Sequence, residues 1–206
     1  MKDVRVDTPE PTDAAASEAT GKTLKKWFAE LDALGGIEKG RRDLTSHLLA
    51  AKLDEWWAVT VAVEYEKARG QAEKDGLPKG YSICSTKTIA APLPDVFAAF
   101  GDARTLDRWL GAKTKVSFED GGKLENADGD AMAFTRIRPN KDLRMTWKRP
   151  GLAAGSAVEV LFADKGKGKT GITLNHTRIQ SRADADKLRA GWGSAFDSLK
   201  SLLEKA

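Results

Sequence analysis

At 206 residues, with 41% apolar and 31% charged side chains, the chain has the balance of a soluble globular protein, and global disorder is excluded. It contains no apolar run approaching the ~20 residues of a membrane helix, so no membrane span is expected. Its 34 basic and 30 acidic residues give a net charge of +4 with both signs interspersed, whereas nucleic-acid binders gather their excess charge on one face.

Cys84 is the only cysteine, so no intrachain disulfide is available. Between Ser82 and Ser85 it is expected to be a small buried residue. The two histidines, His47 and His176, stand far apart with no cysteine cluster at metal-ligand spacing, so no metal site is expected. Nothing calls for a cofactor. The first residues carry acids and prolines but no apolar h-region, which argues against a secretory signal and makes a cytoplasmic location the expectation.

Residues 1–19 read as a disordered arm. From Thr20 the pattern becomes helical: Leu24, Trp27, Phe28, Leu31 and Leu34 recur at helical spacing before Gly35-Gly36. A second helix is expected from Arg41 to Ala51 around Leu44 and Leu48. A third, capped by Asp54, carries Trp57, Val61 and Tyr65 to about Arg69. Residues 20–70 thus form a small all-α three-helix unit, and the polar stretch 71–80, with two glycines and a proline, reads as a linker. Lys25, Lys26, Arg41 and Arg42 are the only basis there for DNA binding, and a solvated surface is the simpler reading.

The period then changes. Tyr81–Ile89 reads as a strand, and Pro94 suits the first turn of a short helix bearing Val96, Phe97 and Phe100, followed by a second around Leu106–Leu110. Strand-like segments follow at 114–118, 122–125, 131–138, 143–148, 157–163 and 171–179, separated by turn residues. Alternation is clearest in Leu143, Met145, Trp147 and in Val158, Val160, Phe162, the mark of an antiparallel sheet buried on one face. Gly166-Lys167-Gly168-Lys169 lacks P-loop spacing and reads as a hairpin turn. A last helix, Asp184–Lys205, puts Leu188, Trp192, Phe196, Leu199 and Leu203 on one stripe. The fold class expected is α+β.

This order of strand, two short helices, strand meander and one long amphipathic helix resembles the START-like superfamily, also called SRPBCC or polyketide cyclase/birch-allergen-like. TKTIAAPLPDVFAAFGDARTLDRWLGA, from Thr86 to Ala112, is similar to its opening strand and helices. RAGWGSAFDSLKSLLEKA and LNHTRI, the latter around His176, resemble the branch named after the activator of the 90-kDa heat-shock protein ATPase. The resemblance covers residues 81–206 and implies a helix-grip fold, a curved antiparallel sheet around the C-terminal helix. The segment beginning TGKTLKKWFAEL is similar to a bacterial helical domain of unknown function, which suggests a bacterial source.

A helix-grip domain encloses either a packed core or a ligand cavity. The candidate walls are Phe100, Trp109, Phe118, Phe134, Met145, Trp147, Phe162, Leu174, His176 and Trp192. The leading expectation is a cavity that binds a small apolar or amphipathic molecule. A protein-interaction or co-chaperone role, implied by the branch name, is the second. A cyclase or hydratase is the third, and would need His176 beside a carboxylate such as Glu159 or Asp130. No catalytic residue is assigned, and Arg136, Arg138, Arg144, Lys148 and Arg149 are expected on a solvated sheet face.

Overall fold

The computed structural model describes Met1 and residues 6–204. Its contacts divide the chain into two compact units, one of Asp7–Tyr81 with Gln180–Ala183, the other of Met1–Val6, Ser82–Ile179 and Asp184–Ala206.

The first unit is helical: α1 (Asp13–Thr20), α2 (Leu24–Leu34), a 3-10 turn (Gly36–Lys39), α3 (Gly40–Ala50) and α4 (Glu55–Ala68). The three predicted helices are present and α1 is added, because Asp13–Thr20 is helical where a disordered arm was expected. Residues 2–5 of that expected arm lie outside the described residues. The caps follow the chemistry of short polar side chains. Thr23 accepts from the Lys26 N–H, and Asp54 from the Trp57 N–H at 2.9 Å. Trp27, Leu31, Leu44, Leu48, Trp57 and Val61 form the core, joined by Ala16, Ala58 and Tyr65, with Phe28 half-buried against them. Asp32 accepts hydrogen bonds from the Arg69 guanidinium and from the Tyr65 hydroxyl at 2.6 Å, which hold its carboxyl down at about 2. Arg41 is not available to DNA: its guanidinium is engaged by the buried carboxylate of Glu66 and donates to the Gly80 carbonyl. The stretch expected as a linker groups with this unit and folds back through an Ala72–Pro78 bridge.

The elements that follow, which make up most of the second unit, are β1 (Tyr81–Ile89), α5 (Leu93–Ala98), α6 (Ala103–Trp109), β2 (Lys115–Val116), β3 (Lys123–Glu125), β4 (Ala131–Arg138), β5 (Asp142–Lys148), β6 (Ser156–Asp164), β7 (Thr170–Ile179) and α7 (Arg182–Leu203). The predicted end of the last helix at Lys205 lies outside the described residues. The strands form one sheet in the order β1-β7-β6-β5-β4-β3-β2, with antiparallel ladders from β2 through β7. This is the helix-grip α+β architecture.

Register decides which side chains face α7. Met145 pairs with Val158 and Val158 with His176, while Leu143 pairs with Val160 and Val160 with Leu174. Because side chains alternate along a strand, these pairs share one buried face. On β4 the inward residues Phe134 and Ile137 are three positions apart, an odd spacing that ordinary alternation forbids. A register shift between Phe134 and Arg136 absorbs the extra residue. Two glycines permit close approaches: a Cβ at Gly101 would lie 2.4 Å from the Phe118 ring, and one at Gly111 would lie 2.6 Å from Asp128 Oδ2.

One local expectation changes. Cys84 is exposed, because its position on β1 is an outward one between buried Ile83 and half-buried Ser85. On the basic face Arg138, Arg144 and Lys148 are exposed and Arg136 and Arg149 half-buried, and several of these arginines are paired. Asp142, buried within β5, accepts from Arg138 and Arg136, whose hydrogen bonds hold its carboxyl below the usual range. Arg144 pairs with Glu159 at 2.7 Å.

Candidate functional site

The predicted walls come together. Phe100, Trp109, Phe134, Met145, Trp147, Phe162, Leu174, His176 and Trp192 are all buried in the second unit, and Phe118 is half-buried. Strand alternation explains Phe134, Met145, Trp147, Phe162, Leu174 and His176, and the helical stripe explains Trp192. Most belong to one chain of aromatic contacts. It runs from Phe134 through Phe118, Phe97, Phe162 and Phe100 to Trp109, with centroids 4.9–5.6 Å apart. Phe196 links Trp109 at 6.4 Å to Trp192, which meets Trp147 at 4.8 Å, and Trp147 meets His176 at 5.7 Å.

The sequence reading missed Phe97 and Phe196 as members of this chain, although helical spacing had already placed both on buried faces. It also missed Leu106, Leu110, Leu124, Met132 and Val160, which complete the lining of the interior void. Of the predicted walls, Phe100, Trp109, Phe134, Met145 and Trp192 line that void directly. The void is small, about 10 Å³, enough for roughly one water. A larger cleft of about 150 Å³ lies outside it between the end of α6 and α7, and Trp109 and Leu110 line both spaces.

The polar chemistry sits at the Trp192 end. The Trp192 indole N–H donates to His176 Nδ1 at 3.2 Å. Burial drives the imidazole pKa down to about 3, so the ring is neutral at pH 7. A neutral ring with Nδ1 accepting carries its one proton on Nε2. That Nε2–H has no partner, and neither does the buried Nε1–H of Trp147. Two neighbouring donors are therefore buried without an acceptor, each costing ~1–3 kcal/mol.

Neither carboxylate suggested for His176 is beside it. Glu159 is one residue out of phase with Val158, the strand partner of His176, and faces outward to Arg144. Asp130 pairs with the Met1 ammonium instead. Among the described residues the site holds neutral donors and an apolar wall, with neither of those carboxylates beside His176.

Sheet, grip helix and an aromatic interior with a polar end define a helix-grip domain of the START-like class. The family described as "Activator of Hsp90 ATPase homolog 1-like protein" matches residues 90–204, more than half of the chain, and the chain belongs to it. A comparison with curated protein sequences gives no significant match. Among solved structures the chain is similar to an HSP90 activator from Plasmodium falciparum, at 24% identity and TM-score 0.55 over 60% of this chain and 96% of that one. It is also similar to CalU16 from Micromonospora echinospora, at 24% identity and TM-score 0.54 over 59% and 75%. A third similar structure is the Aha1 dimer from Colwellia psychrerythraea, at 18% identity and TM-score 0.54 over 60% and 96%. These likenesses establish the fold. Among the described residues, no helix is long and apolar enough to cross a membrane.

Proposed function

We propose that the helix-grip domain binds a small amphipathic molecule, an apolar body bearing an oxygen acceptor, between the sheet and α7. The observation that carries this reading is the pair of buried, unpartnered donors, Trp147 Nε1–H and His176 Nε2–H. A carbonyl, carboxylate or hydroxyl oxygen would satisfy one or both, and the adjoining aromatic wall would take the apolar part. A void of about 10 Å³ admits such a molecule only if the wall moves. Trp109 and Leu110 are the residues to move, since they alone line both the void and the outer cleft. No chemical step is assigned to the site.

Titration with the dye 1-anilinonaphthalene-8-sulfonate, an apolar ring system with sulfonate oxygens, tests the reading. Saturable binding at one site per chain is expected, weakened about tenfold when His176→Phe and Trp147→Phe remove the donors. Native mass spectrometry of the purified protein would identify any molecule already held. No saturable dye binding and no retained molecule, in protein shown to be folded, would sink the proposal.

The near-closure of the interior favours a second reading, a module that acts through its surface on a protein partner. The Plasmodium falciparum relative is described as an HSP90 activator. Measuring the ATPase rate of a bacterial homologue of that chaperone with and without this protein tests it, and an unchanged rate would count against it.

A further inference from the structure

The N-terminal residue is held at a built site on the second unit. Met1 is 2% exposed. Its ammonium lies on Asp130, whose side chain is fully buried, and 3.1 Å from Asp128 Oδ2. Its carbonyl oxygen accepts from the guanidinium of Arg149, whose Nε lies 3.5 Å from Asp130 Oδ1. Its thioether runs against α7 at Gly191, where a Cβ would come within 2.8 Å of the methyl carbon and 3.1 Å of the sulfur. Each part of an N-terminal residue thus meets its own complement: acids for the ammonium, a guanidinium for the acyl oxygen, bare helix backbone for an unbranched apolar side chain.

The scaffold around these groups is fixed without Met1. Asn126 Oδ1 accepts from the N–H groups of Asp128 and Asp130, and Asn126 Nδ2 donates to Asp130 Oδ2 at 3.2 Å. That turn is closed on Pro150, 2.9 Å from where a Gly129 Cβ would stand, and so lies beside Arg149. Glycine inside a helix weakens it, and at Gly191 it makes room for the methionine side chain. An open cleft of about 340 Å³, bordered by Asp128, Arg149, Lys187 and Leu188, adjoins the cradle.

We propose that this cradle is a receptor for a free α-ammonium beside an acyl oxygen, with an unbranched apolar side chain, and that the chain's own Met1 occupies it in cis. A peptide N-terminus and a free amino acid share that chemistry, so in trans the site would take either once Met1 is displaced.

The test uses the full chain, unextended and with Gly-Ser placed ahead of Met1, which turns the ammonium into an amide. Isothermal titration with methioninamide should show at least tenfold tighter binding to the extended chain. N-acetylmethioninamide should bind at least tenfold more weakly than methioninamide, and Asp130→Asn should abolish binding. Free methionine in a parallel titration tells an amino-acid site from a peptide-terminus site. In the unextended chain, acylation of the α-amine by a succinimidyl ester, read by peptide mass mapping, should run at least tenfold slower than in the urea-unfolded chain, and Asp130→Asn should restore the rate. An α-amine that reacts at the unfolded rate overturns the proposal, as does a folded extended chain that takes no methioninamide. If the extended chain fails to fold, the labelling comparison decides.

Discussion

Replacing Trp192 with alanine tests fold and site together. The indole is 2% exposed, packs on Trp147 at 4.8 Å and Phe196 at 5.8 Å, and donates to His176 Nδ1. A tryptophan buries ~150–250 Å², which at ~25 cal/mol/Å² is ~4–6 kcal/mol as an upper bound. Measured truncations of core aromatics cost ~3–5 kcal/mol. The void beside the ring is only about 10 Å³, so almost all of its packing contacts are present and the upper half of that range applies. Losing the donor to His176 adds a fraction of the ~1–3 kcal/mol of an unsatisfied buried group. The expected loss is therefore ~4–6 kcal/mol, comparable to the whole stability of a small domain at ~5–15 kcal/mol. Urea denaturation followed by far-UV circular dichroism measures it, with Trp192→Phe as the milder control. A loss below ~2 kcal/mol with unchanged cooperativity would mean that α7 does not grip the sheet through this ring.

His176 predicts an acid sensitivity. Its pKa falls from 6.5 unfolded to about 3 folded, so between those values the unfolded chain binds the extra proton and stability drops as pH falls. About 2 kcal/mol should be lost between pH 7 and pH 5, and His176→Gln should flatten that part of the urea-midpoint profile; an unchanged profile refutes the assignment. Gly101→Ala drives a methyl into the Phe118 ring and should cost ~1–3 kcal/mol by overpacking, read as a lowered melting temperature; an unchanged midpoint would show that the ring shifts freely. In the helical unit, Arg41→Met leaves the buried carboxylate of Glu66 without its cation and should cost ~3–5 kcal/mol. Adding Glu66→Gln should recover part of that loss, and a double variant no more stable than Arg41→Met would refute the ion-pair account.

The elements most legible in the sequence are those whose pattern is set by burial on one face. Leu143, Met145 and Trp147 alternate because β5 is buried on one side, and the stripe of Leu188, Trp192, Phe196 and Leu199 follows from α7 covering that side. Helix α1 escaped because only Ala16 of its residues is buried, although Thr12 and Gly21 supply its caps. Cys84 is exposed although its residue type favours burial, because strand phase decides exposure on β1. The candidate walls were readable one by one, but two properties of the site were not. The void volume depends on how rings interdigitate across elements, and the orphaned N–H groups of Trp147 and His176 depend on a single hydrogen bond from Trp192. The Met1 cradle joins residues more than a hundred positions apart, a pairing that no local periodicity encodes.

The contact between Trp147 and Trp192 also has an optical consequence. Two indoles at 4.8 Å and 66°, held rigidly in an asymmetric interior, couple their electronic transitions and produce an intense signed band in circular dichroism. That band depends on the mutual angle of the two rings and not on secondary structure. A molecule that wedges α7 away from β5 would change the angle and dim this far-ultraviolet couplet while the backbone's own helix and sheet signal stayed constant. The protein therefore carries, without any label, a reporter of whether its grip is closed.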